Sequence, residues 1–308
     1  MSEKKIKLSN GMEIPLMGLG THKMEKPIEV VYESIKNGAR LIDTGTRYGN
    51  EEFVGAGVKK ALEDGIVKRD ELTIVGKVWL QGRKNPEEPL DYTLKCFGID
   101  QIDLYLDHWP YGKDYRDQNQ ISDPFKPVPI YDFWPKMEEL VEKKKIKALG
   151  VSNYNVQCLS NLLSFCNIRP VVNEVEFNPF YYQKNLKEFC DKENIKIIAY
   201  TPLVSGIVAR HYNEDHNNEF NPFKEEIIKE YATKYSKTEG QIILNWLHTI
   251  GVIPIPATSK TWRMKENLSA LEFKMEKEDF EKMSTYFLNG RKRKFVVGNK
   301  YFGVNILG

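Results

Sequence analysis

Four side chains in this sequence could act together on a carbonyl group: Asp43, Tyr48, Lys77 and His108. A phenol is a reluctant acid, with an ordinary pKa of about 10. An ammonium beside it stabilises the phenolate and makes the proton easier to give. That ammonium needs a carboxylate if it is to stay charged in a partly buried site, because an unpaired buried charge is costly. Tyr48, Lys77 and Asp43 supply the acid, the ammonium and the carboxylate. A neutral His108 can donate a hydrogen bond to a carbonyl oxygen and orient it. The set suits a reaction in which hydride adds to a carbonyl carbon while Tyr48 protonates the developing alkoxide. Taken singly, each residue reads as a structural ion pair or a satisfied polar group. Taken together, each at or just past a strand end, they favour chemistry.

The elements must bring them together. Asp43, Lys77 and His108 close the short apolar runs Leu41–Asp43, Thr73–Lys77 and Leu104–His108, and Tyr48 lies in the loop after the first. These ends converge only if the strands lie side by side and parallel. Five further runs, Met17–Gly20, Ala148–Val151, Val172–Val175, Lys196–Tyr200 and Val252–Ile255, have the same character. Between them the apolar residues fall at helical spacing. Val30, Val31 and Ile35 share a face of Pro27–Asn37, which Gly38 ends, and Ile242, Ile243, Trp246, Leu247 and Ile250 form a stripe on Glu239–Ile250. Repeated βα units of this kind predict an α/β fold, a closed (β/α)8 TIM barrel. Lys5–Leu8, Asn10-Gly11 and Met12–Ile14 read as a β-hairpin that plugs one end of the barrel. With no linker or low-complexity segment, residues 1–308 are expected to form a single barrel domain. The connections Trp109–Tyr131 and Leu203–Pro222 are longer than a βα unit needs. With the tail after Asn289, they are expected at the C-terminal face, where barrel active sites lie.

Composition narrows the classes. A net charge of +2, from 45 basic and 43 acidic residues, gives no electrostatic case for a nucleic-acid partner. The short basic runs Lys143–Lys145 and Arg291–Lys294 read as solvated surface. No apolar run approaches the ~20 residues that span a bilayer, and the N-terminus lacks a secretion-signal pattern. Cys96, Cys158, Cys166 and Cys190 are scattered and read as reduced thiols. A cytoplasmic protein is expected, monomeric or dimeric. His211 and His216, with Glu214 and Asp215, lie in a polar loop without the fixed geometry a metal needs, so no metal site is expected.

The chain resembles the aldo-keto reductase family, of the aldose, aldehyde and xylose reductase type. The resemblance rests on Met17-Gly18-Leu19-Gly20-Thr21, Leu41 to Glu51, Gly76-Lys77-Val78-Trp79, Asp103 to Pro110, Lys147 to Asn153 and Ile253-Pro254-Ile255-Pro256, in family order across almost the whole chain. It implies an oxidoreductase that reduces aldehyde or aldose carbonyls to alcohols. Tyr48 would be the general acid, Lys77 would lower its pKa, Asp43 would pair with Lys77, and His108 would orient the carbonyl. Steroid double-bond reductases of the family carry Glu at the position of His108, which argues against that branch.

No side chain delivers hydride, so a cofactor must. No Gly-rich turn of the Rossmann type stands in the right strand–helix context. The resemblance implies instead an extended nicotinamide cofactor across the barrel mouth, NADPH in preference to NADH. Ser152 and Asn153 would hold its carboxamide and Tyr200 would stack on its ring. Gly20, Thr21, Asp43, Leu203 and Thr258 complete the nicotinamide and linker contacts that it implies, and Arg263 and Asn267 match the adenosine end.

Three positions depart from the family pattern. Glu174 stands where Gln usually faces the carboxamide; a carboxylate can still accept from its NH2. Ala257 stands where a Lys usually grips the 2′-phosphate, with Lys260 nearby as a substitute, so use of both cofactors stays open. His22 replaces a Trp of the substrate pocket, leaving Trp79 and Trp109 as walls. A wetter pocket favours polar, sugar-like or short aldehydes. Two other readings remain at this point. One is a cofactor-binding sensor or regulatory subunit on the same fold with little turnover; the other is a barrel hydrolase or isomerase that uses no nicotinamide.

Overall fold

Side-chain alternation along the strands sorts the chain into a barrel interior and an outer wall, because successive residues of a strand point to opposite faces. Leu41, Val75, Leu104, Leu106, Ala148, Val172, Ile198 and Ile253 form one buried cluster. Their neighbours Ile42, Ile74, Tyr105, Leu149, Val175, Ile197 and Val252 belong to another, shared with the helices. The first cluster fills the barrel; the second is the layer between barrel and helices.

The computed structural model describes residues 5–110, 128–204 and 220–290. A hairpin of β1 (Lys5–Lys7) and β2 (Glu13–Pro15) comes first, paired antiparallel with Ile6 opposite Ile14. Leu8 and Ile14 are buried in the interior cluster, so the hairpin does plug the barrel. Then follow β3 (Leu19–Gly20), α1 (Pro27–Lys36), β4 (Leu41–Asp43), α2 (Glu51–Glu63), β5 (Thr73–Val78), α3 (Glu87–Phe97) and β6 (Ile102–Asp107). The second half runs α4 (Ile130–Glu142), β7 (Ile146–Ser152), α5 (Val156–Leu163), β8 (Val172–Glu176), α6 (Lys184–Lys192) and β9 (Lys196–Tyr200). It ends with α7 (Glu226–Tyr235), α8 (Glu239–Thr249), β10 (Val252–Pro254), α9 (Arg263–Leu268) and α10 (Lys277–Asn289). Among the described residues no helix is long and apolar enough to cross a membrane.

Strands β3 to β10 pair in parallel in chain order. The edges meet through two backbone hydrogen bonds, Gly18 N–H to Pro254 O at 3.0 Å and Gly20 N–H to Pro256 O at 3.3 Å. That closure explains Gly20: a Cβ there would lie 2.8 Å from the Ile255 carbonyl oxygen. Closure also shortens the first barrel strand relative to the apolar run Met17–Gly20, since its outer half pairs with β10 through single bonds. The other strands match their runs to within two residues: β4 and β9 coincide, β5 and β8 run one residue longer, β10 ends one earlier, β6 starts two earlier and ends one earlier, and β7 starts two earlier and ends one later.

Gly150 is the interior residue of β7 at mid-height. A Cβ there would lie 2.4 Å from Leu106 Cδ2 and 2.5 Å from Val172 Cγ2. The missing side chain is the space those two neighbours fill. Gly150→Ala should therefore overpack the barrel and destabilise it by about 1–3 kcal/mol, measured as a lowered urea midpoint at unchanged m-value. An unchanged midpoint would mean that the barrel floor yields freely.

The long connections lie mostly outside the described residues, as do residues 291–308 and the histidines His211 and His216.

Candidate active site

Interior-facing residues at the C-terminal ends of the strands form the site. Asp43 ends β4, Lys77 is the last interior residue of β5, and His108 follows β6. Register places them side by side, with Asp43 opposite Val75 and Lys77 opposite Leu106. Tyr48 arrives from a 3-10 turn, Thr46–Tyr48, that Thr46 ties to β5 by donating its hydroxyl to Lys77 O at 3.1 Å. Gly45 opens the turn against the site: a Cβ there would lie 3.3 Å from Lys77 Cβ and 3.6 Å from His108 Cε1.

Lys77 is the hub and is fully buried. Its ammonium donates to the Asp43 carboxylate, to Thr44 O at 2.9 Å and to the Tyr48 hydroxyl at 3.1 Å. It also lies 3.2 Å from Glu174 Oε1. Burial alone would lower the lysine's pKa, but Asp43, Glu174 and Tyr48 outweigh burial and raise it, so the ammonium is charged. His108 packs its ring edge-on to Tyr48 at 5.7 Å and to Trp79 at 4.9 Å. Burial, then the charge of Lys77, holds its pKa well below the ordinary value, so the imidazole is neutral. A neutral imidazole keeps one N–H donor for a carbonyl oxygen.

Tyr48 itself is raised, chiefly by loss of water around it. Lys77 pulls in the opposite direction, as expected, while Asp43 and Glu174 push up with burial. The net result is a phenol that holds its proton across the physiological range and releases it to a strong base such as an alkoxide. Asp43 is raised by burial and restrained by Lys77.

The residues expected around a cofactor lie on the same face. Ser152 donates its hydroxyl to Glu174 O at 2.8 Å. Asn153, in the left-handed conformation at φ +64°, donates to His108 O at 2.9 Å and accepts from the Tyr200 hydroxyl at 2.7 Å. Tyr200 is half-buried at the end of β9 and packs on the interior cluster. Thr21 is buried and spends its hydroxyl on Asp43 O at 2.7 Å. Leu203 packs against the outer core. Thr258 caps its own turn, accepting from Lys260 N–H at 3.0 Å. Ala257, Lys260 and Arg263 are exposed just beyond β10, Asn267 is buried on α9, and Arg263 lies over the Trp262 ring.

Of the pocket residues, His22 faces inward: its ring lies 4.8 Å from that of Tyr48, tilted by 58°. Burial of its inner side, then the charges of Lys23 and Lys77, lowers its pKa to about 4, although the residue keeps an exposed edge. Trp79 is buried against His108, and Arg47 stacks over it at 5.6 Å. Trp109 is also buried.

Trp109 is held by a group centred on Arg83 and Tyr154, which stand outside the sequence motifs. Arg83 donates to both carboxylate oxygens of Asp107, to Val128 O at 3.0 Å and to Trp109 O at 3.3 Å. Tyr154 donates its hydroxyl to Asp107 at 2.6 Å, and Phe133 lies under the guanidinium at 4.7 Å. Strand alternation was the available signal: Asp107 points to the outer wall between the interior residues Leu106 and His108. A charge there requires a buried partner, but alternation does not say which one.

Fold and site define a barrel that holds a tyrosine paired with a buried lysine at the C-terminal ends of its strands. A model of the Aldo/keto reductase family matches residues 13–286. The chain belongs to that family. It is 36% identical over 303 residues to aldose reductase C of Dictyostelium discoideum, covering 92% of this chain and 90% of that one. It is 35% identical over 301 residues to an NAD(P)H-dependent D-xylose reductase of Pyricularia oryzae, covering 92% and 93%. Among solved structures, an aldo-keto reductase of Bombyx mori in complex with NADP superposes with a TM-score of 0.82 at 29% identity, over 93% of each chain.

Proposed function

We propose that this chain reduces aldehyde and open-chain aldose carbonyls to alcohols with NADPH, Tyr48 acting as the general acid. The observation that carries the reading is the 3.1 Å hydrogen bond from a charged, buried Lys77 to the Tyr48 hydroxyl, with neutral His108 beside the same phenol. The residues fit the cofactor: Glu174 Oε2 and His108 Nδ1 are buried with no hydrogen-bond partner among the described residues. A buried polar atom left without a partner is costly, and an amide and a carbonyl at the barrel mouth would supply partners.

When bound, the nicotinamide supplies the hydride. The chain's own groups do the rest. His108 donates to the carbonyl oxygen and sets its orientation. Tyr48 gives its proton to that oxygen as negative charge develops. Lys77 stabilises the phenolate left behind, and Asp43 keeps Lys77 charged. Ser152, Asn153 and Glu174 would hold the carboxamide, Tyr200 would back the ring, and Lys260, Arg263 and Asn267 would meet the adenosine end. His22, Trp79 and Trp109 would line a pocket that is polar on one side, suited to short or sugar-like aldehydes. The chain works in the cytoplasm as one barrel domain.

The test is steady-state oxidation of NADPH, with NADH in parallel, against glyceraldehyde, a nitrobenzaldehyde and xylose. Turnover with NADPH supports the reading. Binding without turnover would favour a sensor, and absence of binding would overturn the reading. Ala257→Lys places a cation beside the exposed turn after β10. It should raise the NADPH preference by up to about fivefold, since an exposed ion pair is worth at most about 1 kcal/mol. An unchanged ratio of the two dissociation constants would move the 2′-phosphate elsewhere.

A further inference from the structure

Lys77 faces two carboxyl groups rather than one. Glu174 on β8 and Asp43 on β4 approach it from opposite sides of the barrel, and all three side chains are buried. Both carboxyls reach the same ammonium, which makes them neighbours. Two carboxylates have only acceptors, so as buried neighbours they repel unless a proton sits on one of them. The charge count says the same, because one ammonium cannot neutralise two buried anions. The other groups facing Glu174 do not change this count: Tyr48 is a neutral phenol, His108 a neutral imidazole, and the register neighbours Ser152 and Ile198 do not ionise.

We propose that Glu174 is a positioning residue of this site: it shares one proton with Asp43 beside Lys77, and loss of that proton to solvent weakens Tyr48 as an acid. The consequence for Tyr48 is Coulombic. With the proton in place, Lys77 carries a net positive field to the phenol. When the proton leaves, a second anion offsets that field and the phenolate becomes harder to form. Burial, followed by Asp43, raises Glu174 well above the ordinary carboxyl range, in line with a retained proton. A shared-proton pair titrates as a unit, so the step belongs to both carboxyls. The link to rate rests on the reading above, whereas the shared proton does not.

The experiment is infrared difference spectroscopy of the protein without cofactor, wild type minus Glu174→Gln, in H2O and D2O. Glu51 and Asp107 are also raised by burial, and their bands cancel in the difference. The expected result is a protonated-carboxyl band in the wild type, lost in Glu174→Gln and lost or displaced in Asp43→Asn, that disappears with rising pH. Absence of such a band would overturn the proposal. A band lost in Glu174→Gln but untouched in Asp43→Asn would overturn the sharing. The pH profile of NADPH oxidation should then show one downward step in the wild type, coincident with loss of the band and missing from Glu174→Gln. Identical profiles would overturn the role of Glu174 in setting Tyr48. NADPH binding by wild type, read from tryptophan fluorescence, is the separate control: a band without binding upholds the shared proton and overturns only the reductase reading.

Discussion

Tyr48→Phe should lower the rate of carbonyl reduction by about 10²–10⁴-fold, the usual contribution of a positioned general acid. The substitution removes one oxygen. The ring stays in place because His22, His108 and the 3-10 turn hold it by contacts that do not use the hydroxyl. Asp43, Glu174 and Thr44 continue to hold Lys77. Cofactor affinity should therefore change little, and the loss should fall on kcat. Tryptophan-fluorescence titration with NADPH beside single-turnover oxidation separates the two. A variant that turns over normally would remove Tyr48 as the acid, and one that loses binding in step with rate would show that the hydroxyl holds the cofactor.

The second large effect is on stability and lies behind the site. Arg83→Met should cost about 3–5 kcal/mol, because it strips a buried carboxylate of its cation. Asp107 and Arg83 are 0% and 1% exposed at their side chains. Methionine restores neither the bonds to Val128 and Trp109 nor the charge. The neutral Tyr154 hydroxyl and the Trp109 backbone N–H would still face Asp107, but neither carries a charge. The sign with pH follows from Asp107, whose pKa burial already raises and Arg83 restrains. Without Arg83 it rises further, so the folded state binds that proton more tightly than the unfolded chain does. Protonation then relieves the buried charge, and the deficit shrinks as pH falls and grows as pH rises through the folded pKa. Urea titrations of wild type and variant at several pH values measure this. A deficit independent of pH would mean that Asp107 is not the group left unpaired.

The same clamp bears on activity. Arg83 binds the carbonyl of Trp109, next to His108. The variant's loss of activity, measured below its unfolding transition, should therefore appear in KM for the carbonyl substrate more than in NADPH affinity.

What the sequence alone determined was local and periodic. Short apolar runs alternating with helical stripes required parallel βα units, and Asn10-Gly11 required the hairpin. The ends of three parallel runs were enough to bring Asp43, Lys77 and His108 to one place, with Tyr48 in the loop after the first, and the family motifs gave all four a role. Those are properties of neighbouring residues, so the chain order carries them. What only the tertiary structure decided is pairing across the barrel. Three strands lie between Asp43 on β4 and Glu174 on β8 in the sheet order, and nothing in either segment announces that one lysine lies between them. Arg83 and Asp107 meet where Phe133 of α4 and Tyr154 of the loop before α5 close over them. Closure of the barrel brings Gly18 and Gly20 to β10. The direction of the Tyr48 shift was decided there too: proximity to Lys77 is legible in a motif, but burial and the sign of the second carboxyl's field depend on where the chain puts water and charge in three dimensions. Electrostatic energies fall with distance and local dielectric, and both quantities come into existence only when the barrel closes.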